Sequence, residues 1–212
     1  MVNQDRRRAM MSDLRHIQEF FDTGDDETQT VRTYLIEPAF KYAKLYRRST
    51  GEFSSSSLVS WSKSMKKIIL EGTKIEILTH FRIDQQTLQE LEEDYGRDQE
   101  AKQAHLSRES DRILRKAVRF KHRQDFNLRG DLLAWLIANE QLEIKFAFLR
   151  NIDYSNQDQF RRQFHNKHGY FLLEEDIQIG FRGSFNETIT GHQHNAENVD
   201  IFASWRPEDA RR

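Results

Sequence analysis

Cysteine is missing from all 212 residues, which excludes disulfides and thiolate chemistry and makes a reducing cytoplasm the expected compartment. Proline is scarce, with only Pro38 and Pro207, so most chain breaks must come from glycine and polar turns. No run approaches the roughly 20 consecutive apolar residues that a membrane-spanning helix requires. The basic start, residues 1–11, has no apolar centre and does not read as a secretory signal. Net charge is close to zero, with 33 Lys and Arg against 34 Asp and Glu. Bulk charge therefore does not announce a nucleic-acid binder. The charge is local instead: basic stretches lie at 6–8, 41–48, 63–67 and 112–123, and acidic ones at 22–27 and 90–98. Two readings are open, a basic groove on a neutral protein or an ordinary solvated surface.

What is present reads as one α/β domain. Residues 1–28 form a polar N-terminal extension, helical or frayed. Residues 29–205 form the domain, and 206–212 a polar tail from which a further C-terminal region is expected to continue. Residues 31–43 have helical spacing, with Pro38 as the start. Residues 45–53 read as a strand, and Ser54–Ser57 offer caps for the helix that follows. Leu58, Trp61, Met65, Ile68 and Ile69 recur at helical intervals, Gly72 ends that helix, and residues 74–80 alternate as a strand. This is a β-α-β unit. Residues 84–122 are very polar and read as a helical insertion. An amphipathic helix at 128–140 and a strand at 142–149 follow. Residues 164–173 and 177–184 read as a hairpin turning at 174–176, and 199–205 as a last strand. Trp61, Trp135 and Trp205 are expected in the core. Alternating strands and helices predict an α/β sandwich with a mixed sheet.

The chemistry concentrates between His165 and Trp205. His165 and Lys167 stand two apart, so an extended chain puts them on one face. The next strand ends in Gly183-Ser184-Phe185-Asn186, and a hairpin brings Ser184 and Asn186 beside them. Such a set suits a phosphodiester. A neutral imidazole attacks phosphorus and splits one hard step into two through a covalent phosphohistidine. Lys167 supplies a point charge to the non-bridging oxygens, and the Ser184 hydroxyl and Asn186 amide add neutral donors. Glu197, in Asn195-Ala196-Glu197-Asn198, can accept from the other ring nitrogen and set the tautomer. This array needs no metal and no cofactor.

His165-Asn166-Lys167 followed by Gly183-Ser184-Phe185-Asn186 resembles the H-x-K…D…G-S-x-N motif of the phospholipase D superfamily. The text FHNKHGYF…FRGSFNETITG…NAENVDIFASW, with YRRSTGEFSSSSL and DLLAWLIANEQLEIKFAF upstream, is similar to the phospholipase D-like module at the start of bacterial DEAD/DEAH-box helicases linked to restriction and phage defence. The resemblance spans most of the chain after about the first 25 residues. It implies an α-β-α sandwich and a site built from two motifs, where this chain has one, so two copies of His165 would meet in a homodimer. It implies His165 as nucleophile or general acid, Lys167, Ser184 and Asn186 as phosphate ligands, and Glu197 as the group that orients a histidine. The sequence departs from the motif at Leu172, where the family has aspartate. Asp176 keeps the family's distance to the Gly-Ser pair, as in a hairpin about four residues longer.

Three functions follow from these residues. The first is a metal-independent DNA endonuclease module in restriction or antiviral defence. The second is a catalytically weak module that binds DNA or a partner for a helicase. The third is a metal-dependent nuclease using His192 and His194, since imidazole suits zinc.

Overall fold

The computed structural model describes residues 2–23, 29–80, 132–147 and 164–209. The expected insertion at 84–122 lies outside them.

Among the described residues seven strands form one mixed sheet: β1 (Phe20–Asp22), β2 (Ala43–Thr50), β3 (Lys74–His80), β4 (Leu142–Ala147), β5 (His168–Leu173), β6 (Gln178–Gly183) and β7 (Asn198–Ala203). Their order is β1-β7-β6-β5-β2-β3-β4. Strands β2, β3 and β4 run parallel, and β5, β6, β7 and β1 join antiparallel. The mixed α/β class is thus as the alternation of elements predicts.

The β-α-β unit forms for the reasons its sequence suggests. Ser54 accepts a hydrogen bond from Ser56 N, capping a short 3-10 turn that leads into α3 (Leu58–Trp61) and α4 (Met65–Glu71). Gly72 ends α4 in the left-handed region at φ 71°, where a β-carbon would be penalised. Strand β3 then buries Ile75, Ile77 and Thr79. Farther along, α5 (132–138) precedes β4, and α6 (Ile189–Gln193) follows β6.

Pro38 sits just inside α2 (Glu37–Phe40), but the helix begins upstream as a π-helical turn at Arg32–Ile36. Proline has no N–H for the carbonyl four residues back. That carbonyl, Tyr34 O, is met instead by His16 Nε2 at 3.0 Å.

The core is aromatic. Tyr46 stacks on Phe171 at 4.4 Å between centroids, and Phe40 packs on both Trp61 and Phe171. Phe181 stacks on Phe185, which carries the column to the end of β6. Each such side chain removed from water contributes roughly 1.5–3 kcal/mol.

The first 28 residues were expected to be a polar extension. Residues 2–23 belong to the fold instead. Helix α1 (Val2–Leu14) places Met10 and Leu14 in the core, and β1 pairs with β7 as an edge strand of the sheet while burying Phe21. Part of the expected tail also folds back. Asp209 accepts from Ala203 N at 2.9 Å, and Arg206 donates to Ile201 O at 2.6 Å. Trp61 is fully buried, Trp205 packs partly against the core, and Trp135 is 41% exposed on the outer side of α5. No helix among the described residues is long and apolar enough to cross a membrane.

Candidate active site

The β5–β6 hairpin turns at Glu174–Asp176 and opens at the other end of the sheet. At that open end, residues 164–167 enter β5 and Ser184–Glu187 leave β6. His165 and Lys167 were expected within a strand, but β5 begins at His168 and they lie just ahead of it. They remain tied to the hairpin, since Gly183 N donates to Lys167 O at 3.0 Å. Phe164 N donates to Nδ1 of His80, the last residue of β3, which fixes the entry to the motif.

His165 is exposed and its Nε2 is in hydrogen-bond contact with Lys167 Nζ. A charged lysine has only protons to give. With the ammonium as donor, Nε2 is the acceptor in this contact. Burial is the larger influence on Lys167 and pushes its pKa down. The nearby Arg48 charge pushes the same way, and the Glu197 carboxylate opposes both.

Ser184 follows β6 directly, and its hydroxyl bonds Glu197 Oε2 and accepts from Asn198 N. Glu197 is buried; its other oxygen accepts from Asn195 Nδ2 at 3.1 Å, and its backbone N–H donates to Thr23 Oγ1 at 2.8 Å. In this chain Glu197 thus meets Ser184 and Asn195, and no hydrogen bond to His165 is found among the described residues. Asn186 lies across Gly51 from His165: a β-carbon built at Gly51 would approach both side chains.

The structure therefore gathers His165, Lys167, Ser184, Asn186 and Glu197 at one end of the sheet. Asp176 is not among them. It lies at the turn, a six-residue strand or about 20 Å away, with its side chain 88% exposed and 3.6 Å from Lys44.

Beneath the site is a buried charge cluster that sequence reasoning missed. Glu187 accepts from Tyr46 Oη at 2.7 Å and lies 3.4 Å from Arg48 Nε and 3.3 Å from His192 Nε2. Arg48 Nη2 donates to Phe185 O at 2.6 Å, and its guanidinium rests 4.2 Å from the Phe185 ring centroid. Burial alone raises the Glu187 carboxyl. The His192 ring, Arg48 and the Tyr46 hydroxyl outweigh it and hold the carboxyl below its usual value. Burial in turn pushes Arg48 down, while burial and the Glu187 charge push the Tyr46 phenol well up.

His192, read from sequence as a metal-ligand candidate beside His194, is wholly buried and faces Glu187, whereas His194 is exposed. Among the described residues no group of three or more His, Asp or Glu is placed to hold a metal. The locally basic stretch at 41–48 is largely paired: Lys41 to Asp13, Lys44 to Asp176, Arg47 to Glu76 and Arg48 to Glu187. Lys63 pairs with Glu37 and Lys67 with Glu71.

No family model matches the chain, and no curated protein matches it. Among solved structures, a mutant of yeast tyrosyl-DNA phosphodiesterase is similar, with a TM-score of 0.42 and 9% identity, over 86% of this chain and 30% of that one. The chain thus spans less than a third of that enzyme, and nothing about activity follows from so distant a likeness.

Proposed function

We propose that this chain carries one half of a phospholipase D-type phosphodiesterase site and acts as a metal-independent DNA endonuclease module in bacterial restriction or phage defence, working as a homodimer and with a linked or associated helicase. One observation carries the reading. His165 with Lys167 in contact at its Nε2, the amide of Asn186 and the Ser184–Glu197 pair lie together at the open end of a single hairpin.

The chemistry follows from that set. As Lys167 turns its ammonium from Nε2 of His165 to the phosphate, the freed Nε2 attacks phosphorus, forming a P–N bond as the bond to the leaving oxygen breaks. Lys167 and Asn186 donate to the non-bridging oxygens as their charge shifts, and Ser184 joins them by turning its one hydroxyl proton from Glu197 to the phosphate. The leaving oxygen takes a proton from the His165 ring of a second copy. Water then attacks the phosphohistidine, gives its proton to that second ring, and the P–N bond breaks. The two rings play opposite roles, which one motif per chain supplies only as a dimer.

The test is cleavage of plasmid and single-stranded DNA in excess EDTA by the intact chain and by His165→Ala. Cleavage that survives EDTA, is lost in the variant and rises with the square of protein concentration at high dilution is the expected result. Cleavage abolished by EDTA and restored by metal would refute it. A second reading has its own support. Leu172 occupies the motif's aspartate position and Asp176 is remote from the site, as in a domain that binds DNA or a partner without turnover. Salt-sensitive DNA binding with no cleavage by either protein is the outcome that favours it.

A further inference from the structure

The turn that ends β2 packs directly on the candidate site. Gly51 does not use the left-handed backbone that commonly explains a glycine; what matters is the side chain it lacks. A β-carbon there would stand 3.2 Å from His165 Nδ1, 3.3 Å from Asn186 Oδ1 and 3.6 Å from Phe164 O. The first two distances are tighter than ordinary contact, so either the imidazole or the amide would have to move. Its neighbour Thr50 is fully buried. The Thr50 hydroxyl accepts from Glu187 N at 3.1 Å, donates to Glu52 O at 2.9 Å and faces Asn186 Oδ1 at 3.5 Å. Two backbone bonds stitch the same segments together, Glu187 N to Glu52 O and Ser54 N to Glu187 O. With Oδ1 facing the turn, the Asn186 amide donors point away from it.

We propose that the Thr50–Gly51 turn is a positioning element of the phosphodiesterase site: Gly51 sets the separation of the His165 imidazole from the Asn186 amide, and the Thr50 hydroxyl anchors the segment that carries Asn186. The proposal rests on the function given above, because it assigns these two side chains to one phosphate. Neither residue of the turn touches the substrate. Both act through the geometry of groups that do, and such geometry is steep: a misplacement of about 1 Å can cost about a hundredfold in rate.

Four variants of the intact chain test it: Gly51→Ala, Thr50→Val, Thr50→Ser and, as control, Gly180→Ala. At Gly180 an added β-carbon meets nothing nearer than 3.8 Å. Gly51→Ala and Thr50→Val are expected to lower kcat for DNA cleavage about ten- to a hundredfold with KM within about twofold. Thr50→Ser, which keeps the hydroxyl, and Gly180→Ala are expected to match the wild type. In parallel, NMR of the His165 ring and the Asn186 side-chain amide is expected to show both displaced in Gly51→Ala, the amide displaced in Thr50→Val, and neither in the control. If the wild type cleaves nothing, the NMR arm still decides, which separates failure of this proposal from failure of the nuclease reading. If Gly51→Ala does not fold, the Thr50→Val and Thr50→Ser pair decides. Unmoved resonances with wild-type kcat in Gly51→Ala, or Thr50→Val indistinguishable from Thr50→Ser, would overturn the proposal.

Discussion

Lys167 carries a consequence that reaches solution measurements. Burial and the Arg48 charge depress its pKa, with Glu197 opposing them. A lysine with depressed pKa becomes neutral at a lower pH than the usual 10.5. On the function proposed above, a neutral lysine loses the charge that would hold the phosphate. The alkaline limb of kcat/KM for cleavage is therefore expected below the ordinary lysine value. Lys167→Arg, whose guanidinium stays charged, is expected to move that limb upward while lowering the rate at neutral pH, because a planar fork does not reproduce a point charge beside His165. A pH–rate profile at constant ionic strength checks both. The residue types of this site were legible in the text of the chain; the partners of those residues were not. Glu197 is a clear case. Its place after the motif suggested a histidine, whereas the fold hands it Ser184, Asn195 and the Thr23 hydroxyl.

Among the elements, the β5–β6 hairpin and the β2-α-β3 unit were readable because their signals are local: alternation, serine caps, and glycine at a helix end. Strand β1 was not. It has three residues with one buried side chain, and what holds it is remote in sequence: the edge of β7 beside it and the Tyr34 ring on which Phe21 stacks. The joint between β6 and β7 depends on Gly183, where a β-carbon would stand 2.4 Å from Asn198 O and 3.2 Å from Val199 Cα. Those are backbone atoms of a paired strand and cannot step aside. Gly183→Ala is expected to destabilise the protein by about 1–3 kcal/mol, the usual cost of overpacking. It should also loosen the Ser184 N to Asn198 O bond. A lower urea midpoint with faster amide exchange at Ser184 is the expected outcome, and an unchanged midpoint would refute it.

For the molecule as a whole, the cluster around Glu187 ties β2, the segment after β6 and helix α6 into one buried unit. Removing one partner of a buried ion pair strands the other charge and costs about 3–5 kcal/mol. Glu187→Ala is expected to lower stability by that amount, read from chemical denaturation. The pH dependence has a definite sign. The Glu187 carboxyl is held below its unfolded value of 4.5, so its stabilisation is complete above that pH and is lost as pH falls through the lower folded value. Glu187→Gln, which cannot ionise, is expected to lose that part of the acid dependence, and melting temperature against pH for the two proteins measures the difference.

By itself the sequence determined the α/β class, the hairpin, the β-α-β unit and the residue types of the candidate site: an imidazole, an ammonium, a hydroxyl, an amide and a carboxylate. Those depend on spacing of a few residues, which periodicity encodes. Only the tertiary structure decided that Gly51 and Thr50 stand against the motif, that Arg48 meets Phe185 across 137 positions, and that Asp176 is excluded. Periodicity says which way a side chain faces, not which distant strand lies beside it. That is settled by the order in which the strands join into one sheet.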